Sequence, residues 1–257
     1  MICHHSGICE VSVLHIAVIS KAQMAITIAP ITSPDIPAAI KCIQDAFDDD
    51  PYNNWVFAKK LDPKLGGFDK LRNYASLRAK CEWGMRSSYA LFYVAKEDDK
   101  LLGISMWTTP AATARPQTWT DWLNDYRLWV EQGVNVLWYR GWGGLKRDRY
   151  WIWKKEQEKC QQEVWTDEKG YYFVNIVTVA PEAQGKGIGR QLFEVVTEEA
   201  DREERRCYLE SSRWEPNVRI YERLGFEVCK KMRCTAEDGS DEGVDLFCMM
   251  REPRSVS

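Results

Sequence analysis

Apolar and polar residues follow two different periods along the chain, which predicts a mixed α/β (α+β) fold. Stretches rich in β-branched and aromatic residues predict strands at 26–31, 89–95, 101–107, 171–179, 207–211, 226–232 and 244–251. Apolar residues recur at helical spacing over 33–47, 71–83 and 188–200, and Pro216 to Gly225 predicts one more short helix.

The segment 108–166 differs in texture from the rest of the chain, because it holds eight of the 12 tryptophans. It predicts two or three helices, interrupted at Gly133 and at 141–144. Two interpretations of the rings stay open: packing in a helical core, and an aromatic wall around an acceptor pocket. The rings concerned are Trp119, Trp122, Trp129, Trp138, Trp142, Trp151, Trp153 and Trp165.

The first 23 residues also look unlike the remainder. The apolar run 11–19 has no basic stretch before it and no small-residue cleavage site after it, so a signal peptide is disfavoured. Cys3, His4, His5 and Cys9 follow no common zinc-ligand spacing. We expect 1–23 to be a disordered or non-native extension, and 24–257 to form a single domain.

Composition and charge narrow the class of protein. With 45% hydrophobic and 28% charged residues the chain can build a large core. A formal net charge of -3 disfavours nucleic acid as a partner, and no apolar run has the length of a membrane span. The nine cysteines form no CxxC pair and no Asn-x-Ser/Thr sequon occurs, which predicts reduced thiols in a cytoplasmic protein.

A glycine-rich loop at 184–189 follows the strand 171–179 and leads into a helix. Free backbone N–H groups at such a helix start make a binding site for phosphate or pyrophosphate. A Walker loop is excluded because Lys186 is followed by Gly187 instead of a serine or threonine. A dinucleotide fingerprint that begins at Gly185 fails because its third glycine is replaced by Arg190.

Two motifs give the chain its resemblance to a known family. The first is Val179-Ala180-Pro181 followed by Gln184-Gly185-Lys186-Gly187-Ile188-Gly189, and the second is Asn217-x3-Tyr221-x3-Gly225-Phe226. Together they resemble the GNAT family of N-acetyltransferases, closely over 175–228 and loosely over 26–107. The texture of the whole chain resembles that of fungal members.

The resemblance implies a specific fold and a co-substrate. We expect a central, mostly antiparallel twisted sheet of six or seven strands, with a splay between two parallel strands and helices on both faces. The tryptophan-rich part, about 109–166, would be a helical insertion. The loop would wrap the pyrophosphate of acetyl-CoA, and the strand 175–179 would bind its pantetheine arm. The implied cofactor-binding residues are Ile176, Val177, Val179, Gln184, Gly185, Lys186, Gly187, Ile188, Gly189, Arg190 and Asn217.

The family analogy also suggests catalytic residues, and no metal. Tyr221 is the candidate acid that protonates the leaving thiol, against the alternative of a core tyrosine. Glu210 is the candidate base, against a structural salt bridge. The acids 48–50 could attract a cationic amine or form a solvated loop. All three histidines lie within 1–23, which disfavours a histidine base and the hydrolase triads that need an imidazole.

The predicted function is transfer of the acetyl group of acetyl-CoA directly to a primary amine of a small molecule. Two alternatives stay open: a protein or peptide N-acetyltransferase, and a non-catalytic acyl-CoA-binding module. Neither nucleic acid nor membrane is expected as a partner, and the resemblance allows a homodimer.

Overall fold

The computed structural model describes residues 26–58, 68–110, 118–237 and 242–255. The predicted extension 1–23, with its cysteines and histidines, lies outside these ranges. The strands are β1 (Thr27–Pro30), β2 (Ala90–Glu97), β3 (Lys100–Thr108), β4 (Tyr171–Val179), β5 (Arg206–Ser211), β6 (Glu227–Thr235) and β7 (Gly243–Arg251). The helices are α1 (Ile36–Phe47), α2 (Pro51–Val56), α3 (Lys70–Arg86), α4 (Trp119–Trp138), α5 (Arg147–Val164), α6 (Ile188–Arg202) and α7 (Arg219–Arg223).

All seven strands belong to one sheet, in the order β1-β2-β3-β4-β5-β7-β6. Every neighbouring pair is antiparallel except β4 and β5, which run parallel. This arrangement confirms the predicted fold class. The strand bounds agree with the sequence pattern to within a few residues, and β4 has the predicted bounds.

Helices cover both faces of the sheet, as the alternation of side chains along β4 shows. Tyr171 packs in a cluster with α2 and α5, whereas Tyr172 packs in a cluster with α6 on the opposite face. Helices α1 and α3 share the first face, where they cover the half of the sheet formed by β2 and β3. The first face is therefore covered by two separate pairs of helices. None of the described helices is both long and apolar enough to cross a membrane.

Helix α2 is a correction to the sequence analysis, which ended α1 at 48–51 and placed no helix there. The Asp50 carboxylate accepts a hydrogen bond from the Asn53 N–H, and Pro51 occupies the first helical position. Both are standard signals for a helix start. Asp48 and Asp49 are exposed, but Asp50 is buried, so the three acids do not form one solvated loop.

The tryptophan-rich segment forms two helices, α4 and α5, within the predicted number. Core packing is right for Trp153 and Trp165, which pack against the cluster under β5 and β7. It is wrong for the other six rings, whose exposed fractions run from 40% to 79%. These exposed rings are Trp119, Trp122, Trp129, Trp138, Trp142 and Trp151.

A buried ion pair ties the end of α6 to the last strand. Both guanidinium Nη atoms of Arg251 lie 2.7 Å from the carboxylate oxygens of Asp201, and the Arg254 N–H also donates to this carboxylate. Burial raises the pKa of Asp201, but these hydrogen bonds and charges outweigh it, and the pKa ends below its usual value. The Arg251 side chain is only 3% exposed, so its charge depends on this one partner.

We predict that Asp201→Ala lowers the free energy of unfolding by about 3–5 kcal/mol, because it leaves a buried guanidinium unpaired. The matched control is Glu194→Ala, which removes the exposed pair between Glu194 and Arg190 on the same helix. This control should cost no more than about 0.5 kcal/mol. Because the folded pKa of Asp201 is lowered, its contribution should be lost as the pH falls through that pKa. Urea unfolding at several pH values measures both effects, and equal losses in the two variants would contradict the prediction.

Candidate active site

The parallel strands β4 and β5 part in the middle of the sheet. Their pairing runs from Tyr171 with Arg206 to Val174 with Leu209 and ends there, although β4 continues to Val179. At the same point β4 contains a bulge, because Met106 pairs with Ile176 and Trp107 with Val174, which leaves Asn175 without a counterpart. The edge of β4 that faces β5 is therefore unpaired from 175 to 179, as the predicted splay requires.

The loop after β4 presents a row of free amides. Backbone N–H groups of six consecutive residues, 185–190, donate to no group in the described part of the chain, whereas the Gln191 N–H bonds to the Gly187 carbonyl. These amides lie at the start of α6, where the helix dipole adds a partial positive charge. The arrangement has the properties of a pyrophosphate site.

Two glycines of this loop have left-handed backbone conformations. Gly185 has φ of 77° and Gly187 has φ of 76°, a region that side chains strongly disfavour. A Cβ atom at either position would meet no described atom within 4 Å. Within the protein, the reason for glycine here is therefore the backbone conformation, not a lack of space.

The structure assigns different surroundings to the other predicted cofactor residues. Lys186 is exposed, and Arg190 is exposed and paired with Glu194 at 2.6 Å. Ile188 is buried in the core, so only its backbone N–H is available to a ligand. The Gln184 amide donates to the Val179 carbonyl at 3.4 Å and closes the loop on the strand.

Side chains along the open part of β4 point to opposite faces. Val177 packs in the cluster around Phe193 of α6, and Val179 packs in the cluster around Leu192. Ile176 lies on the other face, where it lines a cavity. The valines therefore hold the strand against α6, and contacts from them to a ligand would come from the backbone.

The cavity has a volume of about 610 Å³ and lies on the first face of the sheet, beside the parting of β4 and β5. Helices α1, α2, α3 and α5 contribute to its wall, together with β4, β5 and β7. It contains three carboxyl groups, those of Asp48, Asp50 and Glu210, and two ammonium groups, those of Lys70 and Lys154. Its aromatic lining comprises Phe47, Tyr52, Phe57, Phe68, Trp153 and Phe173.

Glu210 lies in this cavity and is held by three donors. Gln157 and Gln161 of α5 donate to its carboxylate at 2.8 and 3.4 Å, and the Tyr208 hydroxyl donates at 3.1 Å. It makes no salt bridge within the described residues, so the structural ion pair weighed as an alternative is wrong. Burial raises the pKa of Glu210 in spite of these hydrogen bonds. A carboxylate with a raised pKa is better suited to accept a proton near neutral pH.

Asp50 is a site residue whose importance the sequence analysis underestimated. One carboxylate oxygen caps α2 and the other accepts a hydrogen bond from the Ser212 hydroxyl just beyond β5. The signal that could have found it was the Asp-Pro pair at a helix start. Lys154 and Gln157 were also not recognised, because no local pattern shows which face of α5 meets the cavity. Of the tryptophans considered as an aromatic wall, Trp153 lines the cavity.

Tyr221 is half-buried on α7 and packs against Phe193 and Phe226, with ring centroids 5.6 and 6.4 Å away. No described residue forms a hydrogen bond with its hydroxyl, so the capped hydroxyl of an ordinary core tyrosine is absent from this part of the chain. Burial, and then the negative charge of Asp50, raises the pKa of Tyr221 to about 12. The phenol is therefore protonated at neutral pH and available as a proton donor.

Asn217 lies in a wide helical turn at Trp214–Val218, which runs directly into α7 at Arg219. Glu215 is the residue of this turn whose backbone is not helical, and it precedes Pro216, where the sequence predicted the start of the helix. Neither the Asn217 nor the Tyr221 side chain forms a hydrogen bond within the described residues.

Comparison with known proteins connects this geometry to a family. Residues 146–228 match the family model described as "Acetyltransferase (GNAT) domain". A solved structure titled only as an acetyltransferase has 15% identity and a TM-score of 0.50, and the alignment covers 89% of this chain and 100% of that chain. This similarity extends the likeness in fold beyond the residues that the family model matches.

Two further solved structures are similar at lower scores. The Salmonella typhimurium protein yncA, a putative acetyltransferase with its cofactor acetyl-CoA, has 15% identity and a TM-score of 0.47, over 91% of this chain and 96% of that one. A ribosomal-protein-alanine N-acetyltransferase from Brucella melitensis has 18% identity and a TM-score of 0.45, over 88% and 99%. The residues that the family model matches include the loop, the helix α6 and the Tyr221 motif, so this part of the chain is similar to a GNAT acetyltransferase domain, which supports an acetyl-CoA-dependent N-acyltransferase.

Proposed function

We propose that this enzyme transfers the acetyl group directly to the primary amine of a small, cationic and partly apolar molecule. The observation that carries the proposal is the cavity of about 610 Å³ beside the parting of β4 and β5. Its volume is in the range of small-molecule sites. Its carboxyl groups favour an ammonium group, and its aromatic side chains favour an apolar body.

The residues for the co-substrate fit acetyl-CoA, which supplies an activated acetyl group as a thioester. The free amides of 185–190 would bind the pyrophosphate. The unpaired edge of β4 from 175 to 179 would pair with the amides of the pantetheine arm. A backbone N–H of this edge would polarise the thioester carbonyl.

The reaction needs one residue that accepts a proton from the amine and another that donates a proton to the leaving thiol. An ammonium group must lose a proton before its nitrogen can attack, and Glu210 would accept that proton directly or through water. The thiol that leaves has a pKa near 8.5 in water. Tyr221 would supply its proton, since its pKa of about 12 keeps the phenol protonated until it is needed.

Further properties of the chain are part of the proposal. We infer a single domain over 24–257, supported by the fact that strands from Thr27 to Arg251 share one sheet. A cytoplasmic location is supported by the seven described cysteines, which are all free thiols. Membership of a fungal-type subgroup stays a prediction from the texture of the sequence.

The first test is turnover of acetyl-CoA against a panel of small amines and a panel of peptides, with release of free thiol as the signal. We expect turnover with amphipathic small amines and little with peptides. Asp50→Asn should raise the KM for the cationic amine by about tenfold, because it removes a buried negative charge. Turnover of peptides alone would favour a protein N-acetyltransferase. Binding of acetyl-CoA without any turnover would favour a non-catalytic module.

We predict that Tyr221→Phe lowers kcat by about 100-fold, because it removes the proton donor for the thiol. Binding of acetyl-CoA, measured by calorimetric titration, should stay the same, since the ring and its packing are kept. Tyr172→Phe is the matched control, because that hydroxyl bonds to Glu203 at the C-terminal end of α6, away from the loop at the start of this helix. A Tyr221→Phe enzyme with wild-type kcat would remove Tyr221 from the mechanism.

The rate should also depend on the ionisation of Glu210. Below its raised pKa Glu210 is protonated and accepts no proton, so kcat/KM should fall as the pH decreases through that value. Glu210→Gln should lower kcat/KM by at least about 100-fold and remove this limb of the profile. Glu163→Gln, at an exposed ion pair on α5, should leave the profile as it is. A limb that persists in Glu210→Gln would assign the base to another group.

A further inference from the structure

Helix α4 exposes its apolar face and packs its polar face against the protein, which is the reverse of an ordinary surface helix. Its outward face holds large apolar side chains with exposed fractions between 37% and 79%. On a helical wheel most of them occupy one continuous arc, in which no charged residue occurs. The members of this outer face are Trp119, Trp122, Leu123, Tyr126, Trp129, Val130, Val134, Leu137 and Trp138.

The inward face of α4 is polar, and it is fixed by hydrogen bonds. Asp121 accepts from the Ser88 hydroxyl, and the Asn124 amide donates to the Trp83 carbonyl. Asp125 accepts from the indole N–H of Trp83 at 2.7 Å. Rotation of α4 to bury its rings would break these bonds and leave buried polar groups without partners. As far as the described residues are concerned, the outer face therefore stays exposed in a single copy of the chain.

The rings of the outer face are already ordered against each other. Trp119 and Trp122 stack at 4.8 Å, Trp122 and Tyr126 at 5.5 Å, and Tyr126 and Trp129 at 6.0 Å between centroids. Little side-chain conformational entropy would therefore be lost when a partner binds to this row of rings. An aromatic side chain buries roughly 150–250 Å² when it is fully covered. At their exposed fractions, the four tryptophans of the outer face together have roughly 400–700 Å² of surface left to bury.

The size and spacing of the outer face fit a second copy of this chain. A stable interface needs about 800 Å² per partner, which the tryptophans approach and the remaining apolar residues complete. Apolar residues recur at intervals of three and four over 119–137, which is the pattern of a helix that pairs along its length with another helix. A membrane surface fits less well, because the arc holds no cation and the chain carries a net charge of -3.

One flank of the outer face carries two opposite charges, which could pair with the same two charges on a second copy of the chain. Arg127 and Glu131 lie next to the arc on the same side of α4, where they form an ion pair at 2.8 Å. A twofold axis near Trp129, about the middle of the face, would set two α4 helices antiparallel. Arg127 of each chain would then lie opposite the partner subunit's Glu131.

We propose that the enzyme is a homodimer formed by antiparallel packing of the outer faces of two α4 helices around Trp129. Rings from both copies form the core of this interface, and two Arg127–Glu131 pairs border it. Helix α4 packs on α3, and none of its residues lines the cavity beside β4 and β5. The proposed interface is thus separate from that cavity.

Sedimentation equilibrium of the full-length chain tests this interface. We expect a dimer, and we expect Trp129→Glu to weaken the dimer Kd by at least about 100-fold. Trp151→Glu is the matched control, because this ring is 62% exposed but lies on α5 outside the outer face. Circular dichroism establishes that each variant is folded, and Trp129→Lys repeats the test with the opposite charge.

The charge pairs give a test that does not depend on apolar contacts. Arg127→Glu and Glu131→Arg should each weaken self-association, because like charges then face each other across the twofold axis. A mixture of these two variants should form a heterodimer, in which opposite charges meet at both positions. An ion pair within one helix cannot explain this result, because each variant alone carries two like charges at 127 and 131.

Four outcomes would overturn the proposal. One is a monomeric wild-type chain, and a second is a dimer that is equally stable in Trp129→Glu and Trp151→Glu. The third is a monomer that dimerises only after removal of residues 1–23, which would assign the outer face to that segment. Binding of the monomer to lipid vesicles through Trp129 would likewise replace the second copy by a membrane.

Discussion

The parting of β4 and β5 is the constraint on which the rest of the site depends. A strand at the centre of a sheet normally has both edges paired, and an unpaired edge exposes backbone groups that need partners. Here the pairing ends at Val174 and Leu209, and the bulge at Asn175 turns β4 away from β5. The stretch from 175 to 179 thus has an open edge in the middle of the sheet. A ligand with amide groups of its own satisfies this edge.

In the proposed function the two substrates would bind on the two faces of the sheet. The loop and α6 belong to one face, where free amides at a helix start would bind the phosphates. The cavity belongs to the other face, where α2 and α5 bring Asp50 and Glu210 to the end of β5. The acetyl group would pass through the parting between them, so the acceptor needs no route past the co-substrate. The function follows from this geometry in our account: one strand edge binds the donor, and one cavity binds the acceptor.

Local sequence patterns predicted those parts of the structure that depend on local physics. The strand β4 and the glycines of the loop were found because β-branched runs and left-handed glycines have consequences at the position where they occur. Helix α2 is too short to show a helical period, and three acids before a proline indicate the end of α1 as readily as a new start, although Asp50 acts as a cap. The place of β7 between β5 and β6 has no local signal at all. The sequence pattern also could not predict which face of α4 packs against the rest of the protein. A helical period shows that two faces of a helix differ, but it does not show which of them is buried.

The account makes one central claim, which is that acetyl-CoA binds in the opened strand and at the start of α6. Hydrogen–deuterium exchange measures this directly, because the amides of 185–190 have no acceptor in the described chain. We expect fast exchange at 185–190 in the free enzyme and strong protection there with saturating acetyl-CoA. The same experiment on Gly187→Glu, which strains the left-handed position, should show little protection. Unchanged exchange at 185–190 with saturating acetyl-CoA would contradict the account.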